Sequence, residues 1–126
     1  MKLDAIGIIA ENPLKTIAFY SKLGLEFESF GEGDHFEAKT SSGVRIMVDS
    51  VNLVRKLRPS WKSSEQGKVA LAFLCETPQE VDEHYQTLVS SGSHGECAPW
   101  DAFWGQRYAS ILDPDGNCVD LFCPLS

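Results

Sequence analysis

The sequence predicts an α+β fold made of one β-α-β-β-β unit used twice, and three observations carry that reading. Residues 5–13, A-I-G-I-I-A-E-N-P, return sixty-five positions later as residues 70–78, A-L-A-F-L-C-E-T-P. Tyr20 and Tyr85 keep that offset on the segments that follow, as do Leu23 and Leu88. Each half then closes on a glycine suited to a hairpin, Gly43 in T-S-S-G-V-R-I-M-V-D and Gly116 in D-P-D-G-N-C-V-D-L-F. A duplicated unit allows its two copies to be read against each other, and function is expected where they face one another.

The elements follow in order. Residues 2–10 read as a buried strand. Asn12 suits an N-cap and Pro13 the first helical position, so a helix should run over 13–23 and end at Gly24. Three short strands follow, over about 25–30, 35–40 and 44–49. In the second copy, Thr77-Pro78-Gln79-Glu80 forms a capping box, which starts a helix over about 78–91 that stops at Gly92. Its three strands fall at about 94–98, 106–113 and 117–123. The last two are joined by D-P-D-G-N, where Pro114 is pre-set for a turn and Gly116 can take positive φ. These elements predict one domain over residues 1–126: a first module over about 1–49, a linker over 50–67 and a second module over about 68–126.

At 126 residues the chain can bury one core but not two independent ones. No apolar run approaches the roughly 20 residues that span a bilayer, and M-K-L-D-A-I-G turns acidic too early for a secretory signal. No membrane partner is expected, and the expected location is the cytoplasm. Cys75, Cys97, Cys118 and Cys123 lack a C-x-x-C pair and lie mostly in apolar strand patterns, so they are expected to be reduced packing residues. The net charge of −7 argues against nucleic acid as a partner. It is uneven, because Arg55, Lys56, Arg58, Lys62 and Lys68 cluster against only Glu65. A solvated surface is the plainer reading of that basic run.

The segments P-L-K-T-I-A-F-Y-S-K-L-G-L-E-F and W-G-Q-R-Y-A-S-I-L-D-P-D-G-N-C-V-D-L-F resemble the vicinal oxygen chelate superfamily of glyoxalases, bleomycin resistance proteins and extradiol dioxygenases. The resemblance implies two βαβββ modules curling into a half-open eight-stranded barrel with the helices outside, commonly completed in a homodimer. It also implies a divalent metal held from the first and last strands of each module. Carried over through the matched motifs, those positions are Ala5, Met47, Ala70 and Asp120. Only Asp120 can ligate a hard cation, since methyl groups and a thioether cannot supply the nitrogen or oxygen donors needed. No metal and no cofactor are therefore expected. A non-standard site of His35, Glu37 and Asp120 is the alternative, while His84 is expected on the helix surface or in helix packing and His94 in an exposed turn.

Strand alternation places Ala5, Gly7, Ile9, Arg45, Met47 and Asp49 on one face of the first module, and Ala70, Ala72, Leu74, Cys118, Asp120 and Phe122 on one face of the second. Small residues leave volume and a few charges orient a guest, which suits a ligand pocket better than a filled core. Trp100, Phe103 and Trp104 within five residues would cost about 25 cal/mol per Å² if left in water. They are expected to stack on a ligand or to plug the barrel mouth or a subunit seam, and Trp61 poses the same choice more weakly. Arg107 is expected to pair with a nearby carboxylate. The expected ligand-binding set is thus Arg45, Met47, Asp49, Trp100, Phe103, Trp104, Asp120 and Phe122.

No Ser or Cys stands in a motif with a recognisable base, so nucleophilic catalysis is not indicated. The leading expectation is a metal-independent homodimer that binds and sequesters an antibiotic or another planar or cationic compound. A lyase, isomerase or dioxygenase with a non-standard metal site is the second reading, and a non-catalytic partner-binding module the third.

Overall fold

The structure, a computed structural model, describes residues 4–57, 61–62 and 69–126. Lys2, Arg58, Glu65, Lys68 and the rest of 58–60 and 63–67 in the expected linker lie outside the described residues. The chain forms two compact units, Met1–Ser64 and Glu65–Ser126, and each contains one βαβββ module.

The first unit comprises β1 (Ala5–Ala10), α1 (Pro13–Ser21), β2 (Phe27–Phe30), β3 (His35–Lys39), β4 (Arg45–Ser50) and α2 (Val51–Leu57). Its sheet has the order β1-β4-β3-β2, with β1 parallel to β4 and the other pairs antiparallel. Helix α1 starts as expected: the Asn12 side chain accepts from the Lys15 amide at 3.2 Å, and Pro13 occupies the first turn. It ends at Ser21 rather than 23, because the Lys22 and Leu23 amides bond Phe19 and Tyr20 carbonyls in a tighter turn before Gly24 at φ 92°. Ala10, Phe36 and Val48 are buried, with Ile17 and Phe27 against them. That core fixes which sheet face is covered and leaves the opposite parity open to function.

Helix α2 was not expected, because its charge had marked that stretch as linker. Its start is nonetheless encoded. Ser50 Oγ accepts from the Leu53 amide at 3.1 Å while donating to Asp34 at 2.7 Å, a cap at the N-terminus. Val51 and Val54 are buried one turn apart, and Arg55 and Lys56 sit in the last turn, where cations favour the helix dipole.

The second unit comprises β5 (Ala70–Leu74), α3 (Pro78–Ser90), β6 (His94–Ala102), β7 (Gln106–Leu112) and β8 (Cys118–Pro124), with sheet order β5-β8-β7-β6. The capping box forms: Thr77 Oγ1 accepts from the Glu80 amide at 3.2 Å, and the Glu80 carboxylate reaches back to the Glu76 amide at 2.7 Å. Helix α3 packs across β6, β7 and β8, burying Val81 and Leu88 on the side where Leu71, Ala109, Ile111, Val119 and Leu121 are also buried. Strand β6 runs to Ala102, beyond the expected 98, with register shifts between Gly95 and Cys97 and between Cys97 and Trp100. Gly95 lies directly under α3, where an added Cβ would stand 2.2 Å from the Tyr85 hydroxyl.

The D-P-D-G-N turn closes on Asp113, whose Oδ1 accepts from the Asp115 and Asn117 amides, each at 2.8 Å, with Gly116 at φ 84°. All four cysteines are free, and Cys75 and Cys123 are buried. No helix among the described residues is long and apolar enough to cross a membrane.

Candidate functional site

On the open face of the first sheet, the cross-strand register aligns Gly7, Met47 and Glu37 in one row and Ile9, Asp49 and His35 in the next. Directly paired residues share a face, so the long polar side chains there meet. His35 Nδ1 pairs with Asp49 and His35 Nε2 with Glu37 at 2.7 Å. Arg45 joins the same Glu37 and reaches Asp4 at 2.6 Å. The result is a chain of alternating charge, Asp49–His35–Glu37–Arg45–Asp4, laid across β3 and β4 and ending just before β1, beside Met47.

A carboxylate on each ring nitrogen favours the protonated form of His35, in which both nitrogens donate. The Asp49 hydrogen bond, aided by Glu37, raises its pKa against the lowering effect of burial. In turn, His35 and then Arg45 hold Glu37 below the ordinary carboxylate range. Arg45 is held above its ordinary value, by Asp4 first and Glu37 second.

The second sheet carries a different face. One row reads Leu74, Phe122, Tyr108 and Trp100, and the next reads Ala72, Asp120, Ser110 and Cys97. The β6–β7 hairpin turns at Gly105, φ 90°, and projects Phe103 and Trp104 beyond the strands. Trp104 is the hub of the aromatic cluster, edge-to-face with Phe103 at 5.0 Å, Tyr108 at 5.4 Å and Trp100 at 5.6 Å between ring centroids. Its indole N–H donates to Gln106 at 2.8 Å, which fixes the ring's orientation.

The Tyr108 hydroxyl donates to Asp120 at 2.8 Å, and the Cys118 thiol approaches the same oxygen at 3.4 Å. Burial, and then the hydrogen bond to Asp120, push the Tyr108 phenol up to about 12, so it stays a donor at neutral pH. Burial also raises the Cys118 thiol, although its Ser110 hydrogen bond lowers it. Among the described residues, Asp120 pairs with no cation. Arg107 is committed instead to both Asp82 oxygens, at 2.9 and 3.0 Å, and to Asp101 at 3.1 Å, as its sequence neighbourhood suggested.

The expected residues therefore fall into two groups. Arg45, Met47 and Asp49 lie together on the first sheet, joined by His35 and Glu37. Trp100, Asp120 and Phe122 lie together on the second sheet, with Phe103 and Trp104 on its hairpin. Tyr108, which links Trp104 to Asp120, was missed. Its signal was available: Tyr108 precedes Phe122 by the same interval that separates His35 from Asp49, so it is His35's counterpart in the second copy.

The four positions at which the family resemblance implies a metal do not fit one. Ala5, Ala70 and Met47 present no nitrogen or oxygen donor. Of the alternative set, His35 and Glu37 bond each other on the first sheet, and Asp120 accepts from Tyr108 and Cys118 on the second.

Comparison with known proteins agrees with these modules. The family model of the Glyoxalase/Bleomycin resistance protein/Dioxygenase superfamily matches residues 2–121. Among solved structures, the chain is similar to a glyoxalase/bleomycin resistance protein/dioxygenase family enzyme from Burkholderia phytofirmans. That likeness has a TM-score of 0.84 and 20% identity, covering 99% of this chain and 100% of the other. A glyoxalase-related enzyme from Fulvimarina pelagi matches with a TM-score of 0.85 and 18% identity, covering 97% and 87%. A third likeness, to a glyoxalase/bleomycin resistance protein/dioxygenase from Nocardioides, has a TM-score of 0.79 and 20% identity over 100% and 85%. At these identities the likeness is one of fold. No curated protein matches the sequence.

Proposed function

Because the chain belongs to the glyoxalase/bleomycin resistance protein/dioxygenase superfamily, we propose that it binds a small planar, cationic compound without the superfamily's metal centre, as a sequestering protein does. One observation carries the reading: Asp120, with no cationic partner among the described residues, shares a sheet face with the Trp100, Trp104 and Tyr108 rings. Aromatic faces attract a flat or cationic guest by about 0.5–2 kcal/mol, and a nearby carboxylate supplies its counter-charge.

Asp49 is a weaker candidate for that counter-charge, because His35 already satisfies it. Arg45, bound to Asp4 and Glu37, positions those carboxylates, and Met47 beside them offers an adaptable apolar contact. Phe122 extends the apolar floor of the second face.

The protein is further read as a homodimer. Phe103 is 90% exposed and Leu74 68% exposed, more apolar surface than a small soluble chain leaves uncovered. The test of the binding reading is intrinsic fluorescence and melting temperature against a panel of planar cations such as bleomycin and ethidium. Quenching and a raised melting temperature are expected. A panel that produces neither overturns the reading and favours a module whose function is protein association.

A further inference from the structure

At the start of α3, on the side of the sheet away from the face described above, three donor side chains converge. Cys75 Sγ, a Glu80 carboxylate oxygen and a His84 ring nitrogen lie within 4.8 Å of one another. Glu80 and His84 stand four residues apart on one helix face, and Cys75 is the buried residue just after β5.

The internal repeat supplies a control for this cluster. The matching positions of the first copy are Ala10, Lys15 and Phe19, of which Ala10 and Phe19 are buried core residues. The same fold is therefore built there with a methyl, an ammonium and a phenyl. Glu80 also completes the capping box, but nothing in the packing of a βαβββ module demands a thiol and an imidazole beside it. Phe19's burial also shows that this helix position faces the sheet, which places His84 on the side where Cys75 lies.

We propose that Cys75, Glu80 and His84 form a binding site for a zinc-like divalent ion, separate from the superfamily's metal positions. Thiolate, imidazole and carboxylate are zinc's protein ligands, and three of them with a water complete a tetrahedron. Ligand bonds of about 2.0–2.3 Å draw donors closer than 4.8 Å, so the ion closes the triad through side-chain rotation. Glu80 Oε2 caps the Glu76 amide and leaves Oε1 to coordinate. Cys75 releases its thiol proton to solvent as the sulfur–metal bond forms. Neither the superfamily's positions 5, 47, 70 and 120 nor the His35, Glu37 and Asp120 alternative includes these residues, and His84 was expected to be a surface or helix-packing residue. This site is independent of the ligand-binding reading, and either can fail without the other.

The test is titration of the reduced, chelator-stripped full chain with Co²⁺, followed by displacement with Zn²⁺. One equivalent should produce the visible bands of tetrahedral cobalt and a near-ultraviolet thiolate-to-cobalt charge-transfer band. Cys75→Ser should abolish the charge-transfer band, and Cys123→Ser should retain it. Glu80→Gln keeps the helix cap and should weaken binding, while His84→Phe, the first copy's residue, should weaken it at least tenfold. Should Cys75→Ser fail to fold by circular dichroism, His84→Phe decides the matter. Absence of the charge-transfer band at one equivalent, or unchanged affinity in His84→Phe, overturns the proposal and leaves adventitious thiol binding.

Discussion

Replacing Asp120 with Asn isolates the charge in the proposed binding face. The Asn side-chain oxygen can still accept from the Tyr108 hydroxyl, now at 2.8 Å from the carboxylate, so shape and hydrogen bonding persist while one negative charge is lost. For a cation about 4 Å away, the Coulomb attraction is roughly 1 kcal/mol in bulk water and about 4 kcal/mol at an effective dielectric near 20. Asp120 is half-buried, which places the loss between those limits. At about 1.4 kcal/mol per decade, the cation's Kd should rise on the order of tenfold or more at low salt. That effect should shrink as salt shortens the Debye length to about 8–10 Å. The assay is quenching of Trp100 and Trp104 fluorescence by ethidium and by a neutral planar aromatic of similar size. The neutral guest should be nearly unaffected by Asp120→Asn, whereas Trp104→Ala should weaken both. A cation Kd within twofold of wild type, or equal losses for both guests, would refute the assignment of Asp120 as counter-charge.

The charge chain on the first sheet makes a pH prediction. The raised His35 pKa contributes stability that is fully present below the unfolded value near 6.5 and is lost as pH rises through the folded value. Glu37, lowered by His35, contributes above the ordinary carboxylate pKa and loses its contribution as pH falls. The stability gap between wild type and His35→Gln, measured by urea unfolding, should therefore be widest near pH 5–6 and narrow toward high pH; a gap that widens instead contradicts the network. Gly95→Ala should destabilise by about 1–3 kcal/mol, because its Cβ would meet the Tyr85 ring. Tyr85→Ala in the same background should relieve that clash, and additive losses would count against it. Light scattering should give a dimer mass at micromolar concentration, and a monomer throughout would remove the second-copy reading of the exposed Phe103 and Leu74.

The duplication made most of the fold legible, because strand alternation and capping residues are local signals. Asn12 and Thr77 start their helices, and Gly24, Gly92 and Gly116 take positive φ where their turns were expected. What escaped was set by competition between signals. Helix α2 was masked by Arg55 and Lys56, which read as linker charge until Ser50 capped the turn and Val51 and Val54 supplied a buried stripe. Strand β6 outran its expected end because register shifts between Gly95 and Cys97 and between Cys97 and Trp100 carry the pairing past Pro99, and irregular pairing leaves no period in the sequence.

The candidate site was legible by position but not by pairing. Alternation put Arg45, Met47 and Asp49 on one face, yet which carboxylate His35 would take depends on cross-strand register. His35 lies opposite Asp49 and two residues from Glu37, so both of these partners come from its own sheet. The same register in the second copy replaces His35 with Tyr108 and Asp49 with Phe122. One scaffold position thus holds an ion pair in one module and an aromatic pair in the other. The first face satisfies its charges internally, through carboxylates matched to His35 and Arg45. Among the described residues, the second gives Asp120 only neutral donors, Tyr108 and Cys118. A carboxylate held by neutral donors keeps its full charge available to a guest, whereas one already paired must first lose its partner. That difference, more than the count of acidic residues, is why recognition is assigned to the second face.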